Sequence, residues 1–344
     1  MTDPPTLDAR LGRAQEQAAR LREAIGRVIV GQREVVDQVL WGLLAAGHVL
    51  LEGAPGLGKT LMVRALAASL SLRFSRIQFT PDLMPSDVTG TNVLVMNPSG
   101  ASTGRFELHR GPIFAEIVLA DEINRATPKT QSALLEAMQE HAVTIAGTRH
   151  ALPEPFFVLA TENPIEMEGT YPLPEAQLDR FLLKILVPAP SEAELVDIIF
   201  RTTGQEPALP EPVLGQPELL ELRSLCREIV VAPPVAEYAA RLVRASVPGA
   251  PDAPEIVGRA LRYGAGVRAA QGLVLVGKAI ALLEGRVQVG FRDVERSAAP
   301  VLRHRLIRSF EGEADGITTE QVTSELLRSI GARPPGVEAV VQGG

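Results

Sequence analysis

The residues with the clearest chemical potential form a glycine-rich loop, G-A-P-G-L-G-K-T, at residues 53–60. The loop follows the apolar run Val49-Leu50-Leu51 and matches the pattern G-x-x-x-x-G-K-S/T, in which a strand leads through a loop into a helix. Glycines let backbone N–H groups turn towards phosphate oxygens, and the positive end of the helix dipole favours the anion. This arrangement predicts that the chain binds a nucleoside triphosphate.

The positions of the loop have separate expected tasks. Lys59 is expected to reach the β- and γ-phosphates, and the Thr60 hydroxyl is expected to ligate Mg²⁺. The residues expected to surround the nucleotide here are Gly53, Ala54, Pro55, Gly56, Leu57, Gly58, Lys59, Thr60 and Leu61. A glycine-rich turn ahead of an ordinary helix is the alternative interpretation, and the flanking strand argues against it.

A second candidate element is the run Ile117 to Glu122, an apolar strand that ends in two adjacent carboxylates. Asp121 is expected to hold Mg²⁺, mostly through water, because this ion keeps part of its hydration shell. Glu122 is expected to orient and deprotonate the attacking water. A protein that only binds nucleotide could lack the Glu, so the pair predicts hydrolysis. A solvated acidic pair at a strand end is the other interpretation.

Length and composition favour a soluble protein with two domains. The chain has 344 residues, of which 46% are hydrophobic and 22% charged, enough to bury a sizeable core. Its net charge of −7 gives no global basic field for nucleic acid. Cys226 is the single cysteine, which excludes an internal disulfide and suits a reducing compartment. No apolar segment reaches the roughly 18–20 residues that span a bilayer. We therefore expect a cytoplasmic protein.

Apolar runs alternate with helical patterns through the first 190 residues, as expected of strands covered on both faces. The predicted strands are Val49–Glu52, Phe74–Phe79, Ile117–Asp121, Phe156–Thr161 and Leu182–Val187. Beyond them the strand signal disappears, and helical patterns cover Glu192–Arg201, Glu218–Glu228, Val235–Ser246, Val267–Leu283 and Asp293–Leu306. The predicted fold class is α/β: a three-layer sandwich with a parallel five-stranded sheet, followed by an all-α domain.

Two short hairpins are predicted to interrupt the sandwich. Thr91–Met96 pairs with Arg105–His109, and Ala142–Ile145 pairs with Thr148–Leu152. A plain nucleotide kinase has no use for two hairpins on one face, so we expect them to contact a partner. Surface loops without a function are the alternative.

Longer runs make a family resemblance specific. They are Gln78–Thr91 (QFTPDLMPSDVTGT), Gly111–Phe114 (GPIF), Asp121–Ala126 (DEINRA), Lys129–Met138 (KTQSALLEAM), Ala160–Pro164 (ATENP) and Leu173–Phe181 (LPEAQLDRF). With them, residues 28–305 resemble the MoxR branch of the AAA+ ATPases, whose second helix carries an inserted hairpin. The patterns along the chain and the resemblance together predict an N-terminal helix over 1–27, a P-loop AAA+ domain over 28–190, a helical lid over 191–330 and a flexible tail over 331–344.

The resemblance also implies a function. Proteins of this branch form rings, usually hexamers, and act as ATP-hydrolysing chaperones that remodel, assemble or activate a client protein complex. They often work beside a partner with a von Willebrand factor A domain. Two alternatives stay open: the ATPase subunit of a metal chelatase, and a nucleic-acid-remodelling motor, against which the acidity of the chain counts. The five histidines lack ligand spacing and are interpreted as surface or packing residues.

Further site residues follow from the resemblance alone. Asn163 matches sensor 1, whose amide contacts the attacking water or the γ-phosphate. Arg180 matches the arginine finger, which reaches the γ-phosphate of a neighbouring subunit; a surface ion pair is the alternative. Arg268 matches sensor 2, which senses the γ-phosphate within its own chain, although Gly266-Val267 stands where the family usually has Ser-Pro.

Two more positions have weaker assignments. The hook Val28–Gln32, and within it Val30 and Gly31, matches the segment that packs against adenine; a generic buried turn is the alternative. Arg125 lies close enough to the strand that ends at Asp121 to act at a subunit interface. A surface charge at the start of a helix explains it equally well.

Overall fold

The computed structural model describes residues 7–95, 105–164, 169–204 and 208–331. The turn expected between the strands of the first hairpin, with Met96, and residues 332–344 of the expected tail lie outside the described residues. No helix in the described part of the chain is both long and apolar enough to cross a bilayer.

The strands are β1 (Val49–Glu52), β2 (Phe74–Gln78), β3 (Gly90–Val95), β4 (Arg105–Arg110), β5 (Ile117–Asp121), β6 (Ala142–Ile145), β7 (Thr148–Ala151), β8 (Phe157–Glu162), β9 (Leu183–Leu186), β10 (Leu261–Tyr263) and β11 (Ile307–Arg308). The helices of the first domain are α1 (Leu7–Val28), α2 (Arg33–Leu44), α3 (Lys59–Ser69), α4 (Pro85–Thr89), α5 (Pro128–Glu140) and α6 (Glu175–Leu178). Those of the second domain are α7 (Glu192–Thr202), α8 (Gln216–Glu228), α9 (Pro233–Ala245), α10 (Glu255–Ala260), α11 (Val267–Leu283), α12 (Phe291–Leu302), α13 (Phe310–Ala314) and α14 (Thr319–Ser329).

The main sheet has five parallel strands in the order β2-β5-β8-β1-β9. The fold class predicted from the sequence is confirmed, and each predicted strand agrees to within one or two residues. Alternation along β1 shows why the strands are apolar on both sides: Val49 and Leu51 join one core, and Leu50 joins the other. In the central strands β1, β5 and β8, burial on both faces leaves only the carboxyl ends to carry polar groups.

The two predicted hairpins are present as separate two-stranded sheets. In the first, β3 pairs with β4 in antiparallel register, with Leu94 opposite Phe106. Its base is tight, because Gly90 has φ +96° and a Cβ there would lie 2.3 Å from the His109 carbonyl oxygen. In the second, β6 pairs with β7. The first hairpin leaves the sandwich and exposes most of its side chains, whereas β6 of the second packs into the core through Val143 and Ile145.

The second domain is helical around the apolar helix α11, but it contains elements that the sequence did not predict. The strand signal does not end at Pro188, because β10 pairs with β11 in antiparallel register. Strands of three and two residues are too short for an alternation of polar and apolar residues to reveal them. The helices α10, α13 and α14 were not predicted either, and some element ends differ: α8 begins at Gln216, and α12 ends at Leu302 instead of Leu306.

A buried histidine ties the layers of the first domain together. Nδ1 of His48 accepts a hydrogen bond from the Val158 backbone N–H (3.0 Å), so Nε2 carries the proton and donates to the Met138 carbonyl (3.1 Å). Burial lowers the pKa of His48 to about 4, because it disfavours the charged ring; the Met138 carbonyl opposes this, whereas His141 and Arg223 add to it. The interpretation of His48 as a packing residue fits these contacts.

We expect acidification from pH 7 to pH 5 to lower the free energy of unfolding by about 2 kcal/mol through His48 alone. At pH 5 the His48 ring binds a proton in the unfolded chain, where its pKa is 6.5, but stays mostly neutral in the folded protein, where its pKa is about 4. The stability is therefore complete above pH 6.5 and is lost as the pH falls towards 4. Urea unfolding of wild type and His48→Gln at both pH values measures it. The matched control is His150→Gln, at a partly exposed position on β7. Equal pH dependence in His48→Gln and wild type would contradict this account.

Candidate nucleotide site

Three neighbouring strand ends meet at one edge of the main sheet. The phosphate loop follows β1, Asp121 ends β5, and Asn163 follows β8, which lies between the other two. Asn163 is buried. Because parallel strands bring their carboxyl ends to the same edge, residues more than 100 positions apart become neighbours. The structure thus brings together Lys59, Asp121, Glu122 and Asn163, as the sequence predicts.

The phosphate loop has the geometry of an anion cradle. Gly56 (φ +81°) and Gly58 (φ +76°) adopt left-handed backbone conformations that favour glycine. Gly58 also caps the start of α3, whose first turn contains no acidic residue. The free N–H groups and the positive end of the dipole therefore meet no competing carboxylate. The loop from Gly53 to Leu61 fits a triphosphate.

Lys59 is the cation of this loop. Its Nζ donates to the Gly53 carbonyl (2.6 Å) and to the Glu162 carbonyl (3.2 Å). Partial burial lowers the pKa of Lys59, while the nearby Asp121 and Glu122 raise it. The two carbonyls are neutral, so phosphate oxygens would be stronger acceptors for the same ammonium group.

Thr161 holds the Asp121 carboxylate and the Glu122 backbone at the end of β5. Its hydroxyl donates to Asp121 Oδ1 (2.7 Å) and accepts from the Glu122 backbone N–H (2.8 Å). The second oxygen of Asp121 accepts from Arg76 Nη2 (2.6 Å). Sequence reasoning gave no role to Thr161 or Arg76, although Thr161 directly precedes the Glu-Asn-Pro run.

The donor set suits Mg²⁺ only together with the nucleotide. Asp121 and the Thr60 hydroxyl supply hard oxygen ligands of the kind that Mg²⁺ prefers. Within the described residues, no group of three or more His, Cys, Asp or Glu is arranged to hold a metal by itself. A cation at this position would need phosphate oxygens and water to complete its coordination.

Glu122 is restrained by two donors. Its backbone is left-handed (φ +56°), which is uncommon for a residue with a side chain. Its Oε2 accepts from Gln78 Nε2 (2.9 Å) and from Arg125 Nη1 (3.0 Å). Gln78 ends β2 opposite Asp121, a position that the sequence did not mark as functional. Arg125 therefore belongs to this site within its own chain.

A buried charge group lies behind the loop. Lys184 on β9 places its Nζ 2.5 Å from Glu52 and 3.8 Å from Glu162. Burial raises the pKa of Glu162, Lys184 opposes this effect, and Glu52 reinforces it. Glu52 and Glu162 are directly opposite in the pairing of β1 with β8, so two like charges lie side by side and the Lys184 ammonium partly neutralises both. The sequence offered no motif for this group.

The adenine hook lies beside the phosphate loop. Gly31 (φ +63°) and Gln32 (φ +51°) form a turn after α1, and Gln32 Nε2 donates to the Leu57 carbonyl (3.1 Å). This contact joins the hook with Val30 and Gly31 to the loop. The expected contact with adenine stays a prediction.

Arg180 and Arg268 lie elsewhere. Both line a cleft of about 240 Å³ that also touches His48, the residue before β1. Strands rise about 3.3 Å per residue, so this cleft lies roughly 15 Å from the phosphate loop at the other end of β1. The prediction that Arg268 reaches the γ-phosphate of its own chain does not agree with this position. Arg180, by contrast, lies where a residue that serves another subunit could lie.

Asp179 organises that cleft. It accepts from Arg305 Nε (2.7 Å), and Arg268 Nη1 lies 3.5 Å from its other oxygen. Arg305 is almost fully buried, whereas about half of the Arg268 side chain is exposed. The cleft thus contains one carboxylate and three arginines, Arg180 included, and its excess of positive charge suits an anion.

The chain is similar to known proteins over most of its length. Residues 48–183 match the family model "ATPase family associated with various cellular activities (AAA)", and residues 253–326 match the AAA lid domain. Chaperone MoxR1 of Mycobacterium tuberculosis is 43% identical over 93% of this chain and 83% of its own. YeaC of Bacillus subtilis is 43% identical over 90% of this chain and 92% of its own. A crystal structure from Cytophaga hutchinsonii superimposes with a TM-score of 0.86 at 39% identity, covering 94% and 96% of the two chains.

Proposed function

Because the chain belongs to the MoxR-type AAA+ ATPases, a family of nucleotide-binding proteins, we propose that it hydrolyses ATP with Mg²⁺ to remodel a client protein. The single observation that carries the ATPase proposal is the meeting of Lys59, Asp121 and Glu122 at the carboxyl edge of one sheet. Lys59 and the loop N–H groups would bind the phosphates. Thr60 and Asp121 would hold Mg²⁺, which supplies charge neutralisation between the β- and γ-phosphates when bound.

Glu122 is the proposed general base. It would accept a proton from the attacking water, while Asn163 would position that water or the γ-phosphate. Glu122 now accepts hydrogen bonds from Gln78 and Arg125, so it must exchange at least one of these partners for the water. Hydrolysis then depends on an event that releases the carboxylate.

Glu122→Gln is expected to bind ATP normally and to hydrolyse it about 10²–10⁴-fold more slowly. The loop, the metal ligands and the hydrogen bond to Thr161 survive, whereas the base is lost. Fluorescent-nucleotide binding and phosphate release measure the two properties separately. The control is Glu23→Gln, which changes an exposed carboxylate on α1 that is paired with Arg27. Wild-type turnover in Glu122→Gln would show that another group activates the water.

The active species is proposed to be a ring, expected to be a hexamer, with sites shared between subunits. Arg180 and Arg268 line a cleft at the end of β1 away from the phosphate loop, so the loop that they serve must belong to a second copy. A head-to-tail contact repeated by rotation closes a ring. Two arginines would then reach the γ-phosphate from the same neighbour, which moves the proposed action of Arg268 from its own site to the adjacent one.

Mixing inactive Lys59→Ala subunits with inactive Arg180→Ala subunits is expected to restore about a quarter of the wild-type ATPase rate, since one interface in four pairs an intact loop with an intact finger. Phosphate release after subunit exchange measures the recovery. A matched control mixes Lys59→Ala with the double variant Lys59→Ala/Arg180→Ala, which leaves no intact pair. Absence of recovery despite demonstrated exchange would count against sharing of sites.

The first hairpin is the proposed contact with the client. Leu94 and Phe106 are opposite in register and share one face, with 50% and 73% of their surfaces exposed. Such an apolar pair on a projecting hairpin suits an apolar segment of a polypeptide better than a phosphate backbone. One relative is named a chaperone, and a client bearing or accompanied by a von Willebrand factor A domain is proposed on the family pattern.

Phe106→Ser is expected to reduce stimulation of the ATPase by a reduced, carboxymethylated protein at least about fivefold, since it removes an aromatic side chain that the bound client would bury. The basal rate should change little, because Phe106 does not touch the nucleotide site. The control Val93→Ser alters an exposed residue on the opposite face of the hairpin.

Other outcomes decide between function classes. A parallel fall in basal rate would make the hairpin part of the motor. Stimulation by branched DNA alone would favour a nucleic-acid motor, and stimulation by a tetrapyrrole alone would favour a chelatase subunit.

A further inference from the structure

An amphipathic helix stands at the border of the two domains with its apolar face uncovered. Helix α7 has no buried residue. Its large apolar side chains Leu195, Val196, Ile199 and Phe200 are all exposed, Ile199 by 54% and Phe200 by 77%. The spacing i, i+1, i+4, i+5 puts them on one face. An apolar face of this size on a soluble protein marks an interaction surface.

The helix is well formed and fixed in position. Ser191 and Glu194 make a capping box, in which the Ser191 backbone N–H donates to Glu194 Oε2 (2.7 Å). The other end is held by Arg201, whose Nη1 donates to the Arg27 carbonyl (3.1 Å). Glu194 lies against Gly31 of the adenine hook. Glu194 and Arg201 lie on the side of α7 opposite the apolar residues, so the helix stands beside the adenine hook in a defined orientation, with its apolar face turned away from the hook.

We propose that α7 is the docking surface for a second copy of this chain, whose residues 259–268 pack on it. This inference rests on the proposed sharing of sites. A copy that brings Arg268 to the phosphate loop also brings Val267, the residue before it, towards the neighbouring hook and α7. Val267 is 74% exposed, and Tyr263 on the same segment is exposed as well.

The two surfaces complement each other in charge as well as polarity. Residues 192–201 (EAELVDIIFR) contain three carboxylates and one arginine, whereas residues 259–268 (RALRYGAGVR) contain three arginines and no carboxylate. Glu194 is held in the capping box and Asp197 is paired with Arg201, so Glu192 is the carboxylate on the apolar side of α7. A contact between the segments would bury the exposed apolar side chains and pair Glu192 with Arg259 or Arg262. A second copy fits this face better than a client of unspecified charge.

Cross-linking can test the contact, since the chain offers an inert background. Its single cysteine, Cys226, is buried, and burial raises the pKa of the thiol to about 12. In the presence of ATP and Mg²⁺, a mixture of Phe200→Cys and Val267→Cys chains is expected to form a disulfide-linked dimer on oxidation. Val230→Cys, at another exposed lid position, mixed with Val267→Cys is the matched control and should stay monomeric in denaturing gels.

Assembly provides the second measurement. Phe200→Ser should raise the protein concentration for half-assembly at least about tenfold, while fluorescent-nucleotide binding by the dissociated chain stays at the wild-type value. Val230→Ser should assemble as wild type does. A disulfide between two Phe200→Cys chains would overturn the proposal in favour of an α7-to-α7 contact.

Failure of this inference is distinguishable from failure of the proposed function. The role of α7 would be refuted if Phe200→Ser assembled normally and the mixed disulfide did not form. Recovered ATPase in the mixture of Lys59→Ala and Arg180→Ala subunits would still support shared sites. Loss of binding of a carboxymethylated polypeptide by Phe200→Ser with normal assembly would overturn it in favour of a client surface.

Discussion

The parallel pairing of β8 with β1 on one side and with β5 on the other is the constraint on which the site depends. It sets Thr161 beside the ends of both neighbours, where one hydroxyl donates to Asp121 and accepts from the Glu122 N–H. A buried group left without a partner costs about 1–3 kcal/mol, so this side chain stabilises the fold and aligns the carboxylates together. The following residues, Glu162 and Asn163, deliver a carbonyl to Lys59 and an amide to the same edge.

Charge is divided between the two edges of the sheet. The carboxyl edge holds the acidic residues Asp121 and Glu122 near a single lysine of the loop, and it is suited to Mg²⁺ with phosphate. The cleft at the opposite edge concentrates Arg180, Arg268 and Arg305 around Asp179. Within one chain, the phosphate loop and these three arginines are therefore not brought together. Under the proposed sharing of sites, a subunit with its halves separated in this way would be incomplete alone and complete in a head-to-tail assembly.

Much of this arrangement could be predicted from the sequence, for reasons that particular residues illustrate. The loop at 53–60 and the strand ending at Asp121 are local patterns, and strands buried on both faces are apolar enough to recognise. The position of Asn163 between the loop and that strand followed from the family resemblance and agrees with the sheet order. The roles of Thr161, Gln78 and Lys184 were not predicted, because each residue acts through a partner on another strand. No spacing along the chain encodes such a contact. The position of Arg268 depends on how the lid packs against the sheet, which is a property of tertiary structure.

One turn joins the two edges. Residues 123–125 form a single 3-10 turn after Glu122, and the Asn124 carbonyl there accepts from the Tyr171 N–H (2.7 Å). Gln131 also donates to the Tyr171 carbonyl (2.8 Å), so the segment that leads to Arg180 is anchored to the turn that carries Arg125. A displacement of Arg180 by a neighbouring subunit would strain these hydrogen bonds. Arg125 in turn holds Glu122, the carboxylate that must change partners before water can be activated. A path of this kind carries coupling only if both ends bias the same two arrangements, and the partner exchange proposed for Glu122 would supply two such arrangements.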